Sequence, residues 1–223
     1  MLQVSLQAIQ SYFPLLMQGA GVTLELTFIS VLLGTLLGLI LGLGRLSTIG
    51  LLRWISVIYI TFFRGTPLFV QILLIHFAVM PAFIQGVDPF YSGIVALTLN
   101  SGAYIAEIFR AGIQSIDRGQ MEAARSVGMS YSQAMWSVII PQAFRRMLPP
   151  LGNEAIALSK DSSLLAVISG GELAYQAKSM FGATSLTWAS YLTAALIYLV
   201  ITMILAMIVS LLEKRYGTIY AKI

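Results

Sequence analysis

Apolar residues fall in long runs broken by short polar interruptions, and the runs have the length of a bilayer crossing. From about residue 19 to residue 44 the chain is apolar apart from Glu25 and scattered Thr and Ser. Further runs cover about 54–79, 90–109, 150–169 and 188–212. A helix of about 20 residues spans a hydrocarbon core about 30 Å thick, so the pattern predicts five transmembrane helices. Residues 1–18, interrupted by Pro14, predict a short amphipathic or interfacial lead-in. The polar stretch 110–149 and a mixed segment at 170–187, with Glu172 and Lys178, read as loops. The fold class expected is an all-α membrane protein, with residues 1–223 forming a single transmembrane domain.

Within the first run, Gly34, Gly38 and Gly42 recur every fourth residue, which leaves a smooth stripe for a closely packed neighbouring helix. In the second, Arg64-Gly65-Thr66-Pro67 interrupts the apolar pattern. Pro67 removes a backbone donor and disfavours helical geometry at Thr66, so that span is expected to kink there.

Composition agrees with this pattern and narrows the chemistry. Of 223 residues, 58% are hydrophobic and only 10% charged, with a mean hydropathy of +0.86. A soluble domain carries roughly a quarter of its residues as Asp, Glu, Lys or Arg, so the excess apolar surface faces lipid. The net charge of +4 comes from basic residues scattered singly or in pairs, which forms no nucleic-acid patch. The absence of cysteine excludes disulfides, thiol catalysis and thiolate metal sites within the chain. There is no G-x-x-x-x-G-K-[ST] phosphate loop, and the single His76 lies on an apolar span without clustered partners. No catalytic or metal-binding residues are therefore expected. The first Lys or Arg is Arg45, after the first apolar run, so that run reads as a retained helix and not as a secretory signal.

The basic residues also orient the chain. Arg45 and Arg53, then Arg110, Arg118, Arg125, Arg145 and Arg146, then Lys214, Arg215 and Lys222 all fall on one side of a five-span topology; the other side has only Lys178 in its loops. The positive-inside rule puts the N-terminus outside and the C-terminus, with the polar stretch 110–149, in the cytoplasm.

An isolated Arg, Lys or Asp at the centre of a membrane helix costs about 2.5–3.5 kcal/mol, so such residues persist where they face a cavity, a partner or a substrate. Counting about 1.5 Å per residue from the span ends brings Arg64, Asn100, Lys160 and Asp161 to mid-depth on three spans, with Glu107 nearer the cytoplasm. Both signs of charge at one level suit a zwitterion: a cation for its carboxylate and a carboxylate for its ammonium. The same residues could instead seal helix to helix by pairing among themselves, Arg64 with Asp161 or Glu107.

In the cytoplasmic stretch, residues 118–127 favour a helix ended by Gly128, and Ser130 with Gln133 forms a capping-box pattern for a second helix running to about Ile140, before Pro141. Two short helices at the membrane face form a knob suited to a socket on another protein. The alternative is an amphipathic loop resting on the headgroups.

The spacing of this segment is specific. Glu122-Ala123-Ala124, then Gly128, then Val138 and Ile140-Pro141 resemble the EAA loop of ABC-importer permeases, EAA-x3-G-x9-I-x-L-P, with Val138 in place of Ile and Ile140 in place of Leu. Phe63-Arg64-Gly65-Thr66-Pro67-Leu68 with Gln71, Ala103-Tyr104-Ile105-Ala106-Glu107 with Arg110, Gly119-Gln120, Pro141-Gln142-Ala143 and Lys160-Asp161-Ser162 are similar to the polar amino acid (histidine/glutamine-type) branch. The resemblance implies a type I ABC importer permease-like fold in a bacterial-type cytoplasmic membrane. Glu122, Ala123, Ala124, Gly128 and Pro141 would belong to a coupling helix docked on a separate ATPase subunit. Implied partners are two ATPase subunits carrying ATP and Mg, a second permease (identical or paralogous) and an extracytoplasmic substrate-binding protein, with no cofactor on this chain. Transport of a polar, including a basic, amino acid would use Arg64, Asn100, Glu107, Lys160 and Asp161 as substrate-binding residues. A secondary transporter would carry its own coupling-ion site and usually more spans, and a membrane scaffold would need no mid-depth charges.

Overall fold

The first apolar stretch folds as one helix, α1 (Leu2–Leu46), in a computed structural model that describes residues 2–216; Lys222 lies outside the described residues. The expected lead-in is not a separate segment, because the helix continues through Pro14. The lost backbone bond is offset by packing: Leu16 and Ala20 sit in an outer core with Leu173, Ala177, Met180, Ala194 and Ile201. At 45 residues the helix is about 67 Å long, roughly twice the hydrocarbon thickness.

The glycine stripe of α1 faces α4 (Pro89–Gln114), the most buried helix. A Cβ at Gly38 would stand 2.7 Å from the Ile105 side chain and 3.0 Å from the Ala106 nitrogen, and one at Gly42 would stand 3.2 Å from the Phe109 Cβ. The absence of a side chain at these positions lets the two backbones approach, and the α1–α4 pair is the most extensive contact in the fold.

The run at 54–79 is not one continuous span. It forms α2 (Gly50–Gly65) and α3 (Leu68–Leu74), the latter extended by a π turn and a 3₁₀ turn to Ala82. The two are bent by 106°, far more than a kink. Thr66 (φ −118°, ψ 147°) and Pro67 (φ −65°, ψ 132°) are both extended, so two consecutive residues leave the helical region and the chain changes direction.

After a short helix α5 (Arg118–Ser126), α6 (Tyr131–Ala134) continues through a π turn (Met135–Ile139) into α7 (Ile140–Asp161). Pro141 therefore does not end the second knob helix as expected. The Ile140 N–H bonds the Met135 carbonyl across the wider turn, and Pro141 falls in the first turn of α7, where its missing N–H is not needed. The segment 170–187 is not all loop: α8 (Leu173–Thr184) is capped by Glu172, whose carboxylate accepts from the Ala174 and Tyr175 N–H groups at 2.6 and 2.8 Å. Glu172 is fully buried and also accepts from the Tyr198 hydroxyl at 3.0 Å, tying α8 to α9 (Thr193–Tyr216).

Among the described residues, three helices are long and apolar enough to cross a membrane: α1, α4 and the helix from Trp188 to Tyr216; the bent α2–α3 pair would make a fourth. The charged α7 does not qualify by composition. It lies instead against α4 and α9, and a Cβ at Gly152 would collide with the Val209 side chain.

Candidate functional site

Three helix ends converge on one carboxylate. Glu107, in the last third of α4, receives Arg45 from the last turn of α1, Arg110 one turn further along α4, and Arg64 from the last turn of α2. Arg45 Nη1 lies 2.5 Å from Glu107 Oε2, and Arg110 Nε donates to Oε1 at 2.8 Å. Arg64 Nη1 stands 4.0 Å away. Both oxygens are thus occupied at close range, and Arg64 is the least compensated of the three cations. Its guanidinium carbon lies 5.3 Å from the centre of the Tyr104 ring, and its side chain is 41% exposed.

Arg64 borders a cavity of about 540 Å³, whose walls include Tyr104, Glu107, Arg146, Pro150 and Glu154. Arg146 Nη1 donates to the Ser115 carbonyl at 2.5 Å, fixing α7 against the end of α4. Glu154 projects from α7 into the same cavity and makes no ion pair among the described residues. A guanidinium and a free carboxylate therefore line one chamber, a pairing that fits a zwitterionic or cationic solute.

Of the residues expected at the site, Arg64 and Glu107 come together. Asn100, 6% exposed, does not line the chamber. Its amide donates to the Gln71 carbonyl oxygen at 2.9 Å and to the Phe63 carbonyl at 3.4 Å. Lys160 and Asp161 end α7, outside the chamber lining. Asp161 shares a helix face with Glu154, two turns and about 10 Å further along. Arg64 forms no ion pair with Asp161; its internal partner is Glu107, at 4.0 Å and shared with Arg45 and Arg110. Sequence reasoning passed over Arg45, read as a loop bracket, and Glu154. With a span starting at Pro150, Glu154 falls near the membrane surface; with α7 starting at Ile140 it falls at mid-helix.

The first knob helix and the turn after it are built as the sequence suggests. Asp117 caps α5 by accepting from the Gly119 N–H at 2.7 Å. The helix closes with paired bonds from the Gly128 N–H to the Arg125 carbonyl and from the Met129 N–H to the Ala124 carbonyl, at 3.1 and 3.2 Å. This geometry puts Gly128 at φ +90°. Ser130 and Gln133 form the reciprocal capping box of α6. Ile116, Ile139, Ala143 and Met147 form the underside core, and Gln142 donates to Gln120 at 3.2 Å, joining α7 to α5. Glu122, Ala123, Gly128 and Pro141 are exposed on the knob while Ala124 is buried beneath it; Val127 and Tyr131 add exposed apolar surface.

Residues 34–218 match the model of a family described as binding-protein-dependent transport system inner membrane component. The chain is 41% identical to the L-cystine transport system permease protein TcyB of Bacillus subtilis, over 96% of this chain and 91% of that protein. It is 38% identical to the glutamine transport system permease protein GlnP of Escherichia coli, over 96% and 98% respectively. A solved structure described as an amino acid ABC transporter with histidines superposes with a TM-score of 0.89 at 42% identity, covering 94% of this chain and 97% of that one. The all-helical membrane fold of an ABC importer permease is the one expected from the sequence.

Proposed function

The chain belongs to the family of binding-protein-dependent transport system inner membrane components, and from that premise we propose that it moves a polar amino acid, basic ones included, through the chamber beside Arg64. It is the permease component of an amino acid ABC importer, and ATP is hydrolysed on a separate subunit. The observation that carries the substrate reading is Arg64 itself: a guanidinium in an apolar protein, 4.0 Å from a carboxylate whose two oxygens are already engaged, facing a chamber opposite Glu154. Such a cation is costly unless something anionic completes it, and a substrate carboxylate does so bidentately. Glu154 receives the ammonium or a cationic side chain. Asp161 and Lys160 lie further along α7, on the outer side from which the solute arrives. Glu107 offsets part of the positive charge on the inner side of the chamber, and Asn100 supports its wall.

Transport is by alternating access. Five crossings, with α7 as the fourth, put the N-terminus outside and the knob in the cytoplasm of a bacterial-type inner membrane. The exposed face of Glu122, Ala123 and Val127, closed by Gly128, docks on an ATPase subunit; two such subunits carry ATP and Mg. A second permease, identical or paralogous, completes the membrane part, and an extracytoplasmic binding protein delivers substrate. Closure of the ATPase dimer draws the knobs together, and the stiff connection from α6 through Pro141 into α7 passes that motion to the chamber.

Reconstituted with its partners in proteoliposomes, Arg64→Ala raises KM for uptake by about tenfold or more, the loss of a charge-assisted contact. Asp161→Asn shifts the ratio of L-arginine to L-glutamine uptake toward glutamine. Unchanged KM in the first and an unchanged ratio in the second would sink the substrate reading.

A further inference from the structure

The break between α2 and α3 frees backbone groups that a continuous helix would have paired, and in a membrane protein such groups call for internal partners. One side chain takes up several. The Gln71 amide nitrogen lies 2.9 Å from the Phe63 carbonyl, 3.1 Å from the Thr66 carbonyl and 2.8 Å from the Thr66 hydroxyl. Phe63 and Thr66 bracket Arg64 and Gly65, so an amide on α3 is bonded back to both ends of the two-residue segment that carries the chamber cation. The Thr66 hydroxyl in turn donates to the Phe62 carbonyl at 2.8 Å.

The orientation of this amide is dictated by chemistry. Two of its three partners are carbonyl oxygens, which only accept, so the nitrogen must face them and the oxygen must face Asn100. Asn100 must then present its own nitrogen, 2.9 Å from the Gln71 oxygen. Gln71 is 3% exposed and Asn100 6%, and neither lines the chamber. Among the described residues, a 4.0 Å approach to Glu107 and the Tyr104 ring are what restrain the Arg64 side chain. Its backbone anchor therefore decides where the guanidinium stands.

We propose that Gln71, oriented by Asn100, is the positioning residue of the transport site: it touches no substrate and acts by fixing the broken helix so that Arg64 points into the chamber. This rests on the reading of Arg64 as the group that meets the substrate carboxylate. It also makes Asn100 part of the bracket, not a ligand.

The chain contains no cysteine, so Arg64→Cys gives the permease a single thiol at the position in question. In the complete complex in nanodiscs, modification of that thiol by a charged methanethiosulfonate is followed by mass spectrometry of the permease. Adding Gln71→Met, which keeps the shape and removes the amide, changes the rate by about fivefold or more, and Thr66→Val, the milder variant, shifts it in the same direction. With L-arginine and L-glutamine as transport probes, Gln71→Met alone raises KM about tenfold with the maximal rate within about twofold, and adds nothing in an Arg64→Ala background. Thiol reactivity within about twofold in both variants, or KM effects of Gln71→Met and Arg64→Ala that add, overturns the proposal. If Gln71→Met fails to assemble, Thr66→Val decides by the same reading. If Arg64→Ala leaves KM unchanged, the substrate reading fails while thiol reactivity still judges Gln71.

Discussion

Arg45 and Glu107, 62 positions apart in sequence, meet at 2.5 Å where α1 and α4 end. The pair binds the last turn of the longest helix to the helix at the centre of the fold, and Arg110 and Arg64 share the same carboxylate. Glu107→Gln leaves three guanidiniums facing one another without a counter-charge. The pairs are a fifth to two-fifths exposed, so screening lowers the cost to about 1–2 kcal/mol, below that of a fully buried pair. Thermal unfolding of the purified permease in detergent should show the loss, and Arg45→Ala should cost less because Arg110 remains.

Gly128 stands at φ +90°, where a side chain is strained, yet a Cβ there would meet nothing within 4 Å. Gly128→Ala should therefore distort the turn between α5 and α6 by roughly 1–2 kcal/mol of backbone strain without any steric clash. Transport should fall while ATPase activity of the assembled complex persists. Measuring both rates on one preparation separates uncoupling from misassembly, and normal transport would argue against a coupling role.

Gly38 and Gly21 lie on the same helix with opposite surroundings. A Cβ at Gly38 collides with Ile105 and the Ala106 nitrogen, whereas one at Gly21 meets nothing. Gly38→Val should force α1 from α4 and cost about 1–3 kcal/mol or more. Gly21→Ala should be neutral or slightly stabilising through its better helix propensity, by less than about 1 kcal/mol. Folded yield by fluorescence-detected size exclusion tests both.

Glu172 caps α8 and accepts the Tyr198 hydroxyl with no exposure to solvent. Glu172→Ala leaves these donors unpaired and should cost about 2–3 kcal/mol, the loss of a cap plus a buried hydroxyl bond. Hydrogen exchange should rise across residues 173–184 while the α1–α4 interface stays protected. Equal exchange in both variant and parent would show that α8 is held by its apolar face alone.

The parts legible in the sequence are those whose cause is local. The apolar runs and the Gly34–Gly38–Gly42 stripe announce α1 and its partner face, and Gly128 and Ser130 with Gln133 announce the knob. The parts that were not legible depend on residues distant in the chain. Pro67 signals a disturbance at Thr66, but the 106° bend is held by Gln71 and Asn100, which only the fold brings to it. Pro141 normally ends a helix, and the π turn before it is not encoded by any one residue. Leu173, Ala177 and Met180 are too few to mark α8 until α1 is seen packed against them. At the site, Arg64 and Glu107 stood out as charges in apolar runs, while Arg45 looked like an ordinary loop residue because its partner lies on another helix.

The uninterrupted α1 has a mechanical consequence. From Leu16 in the outer core to Arg45 at the inner ion cluster it is a rod of 29 steps in one helix, about 43 Å long. Pro14 lies beyond this segment, so no proline hinge divides it. A tilt of about 5° at one end displaces the other by roughly 4 Å, comparable with the gap between Arg64 and Glu107. A small rotation of the outer end of α1 against α8 and α9 would therefore be enough to make or break an ion pair at its opposite end, with Arg45 as the moving partner.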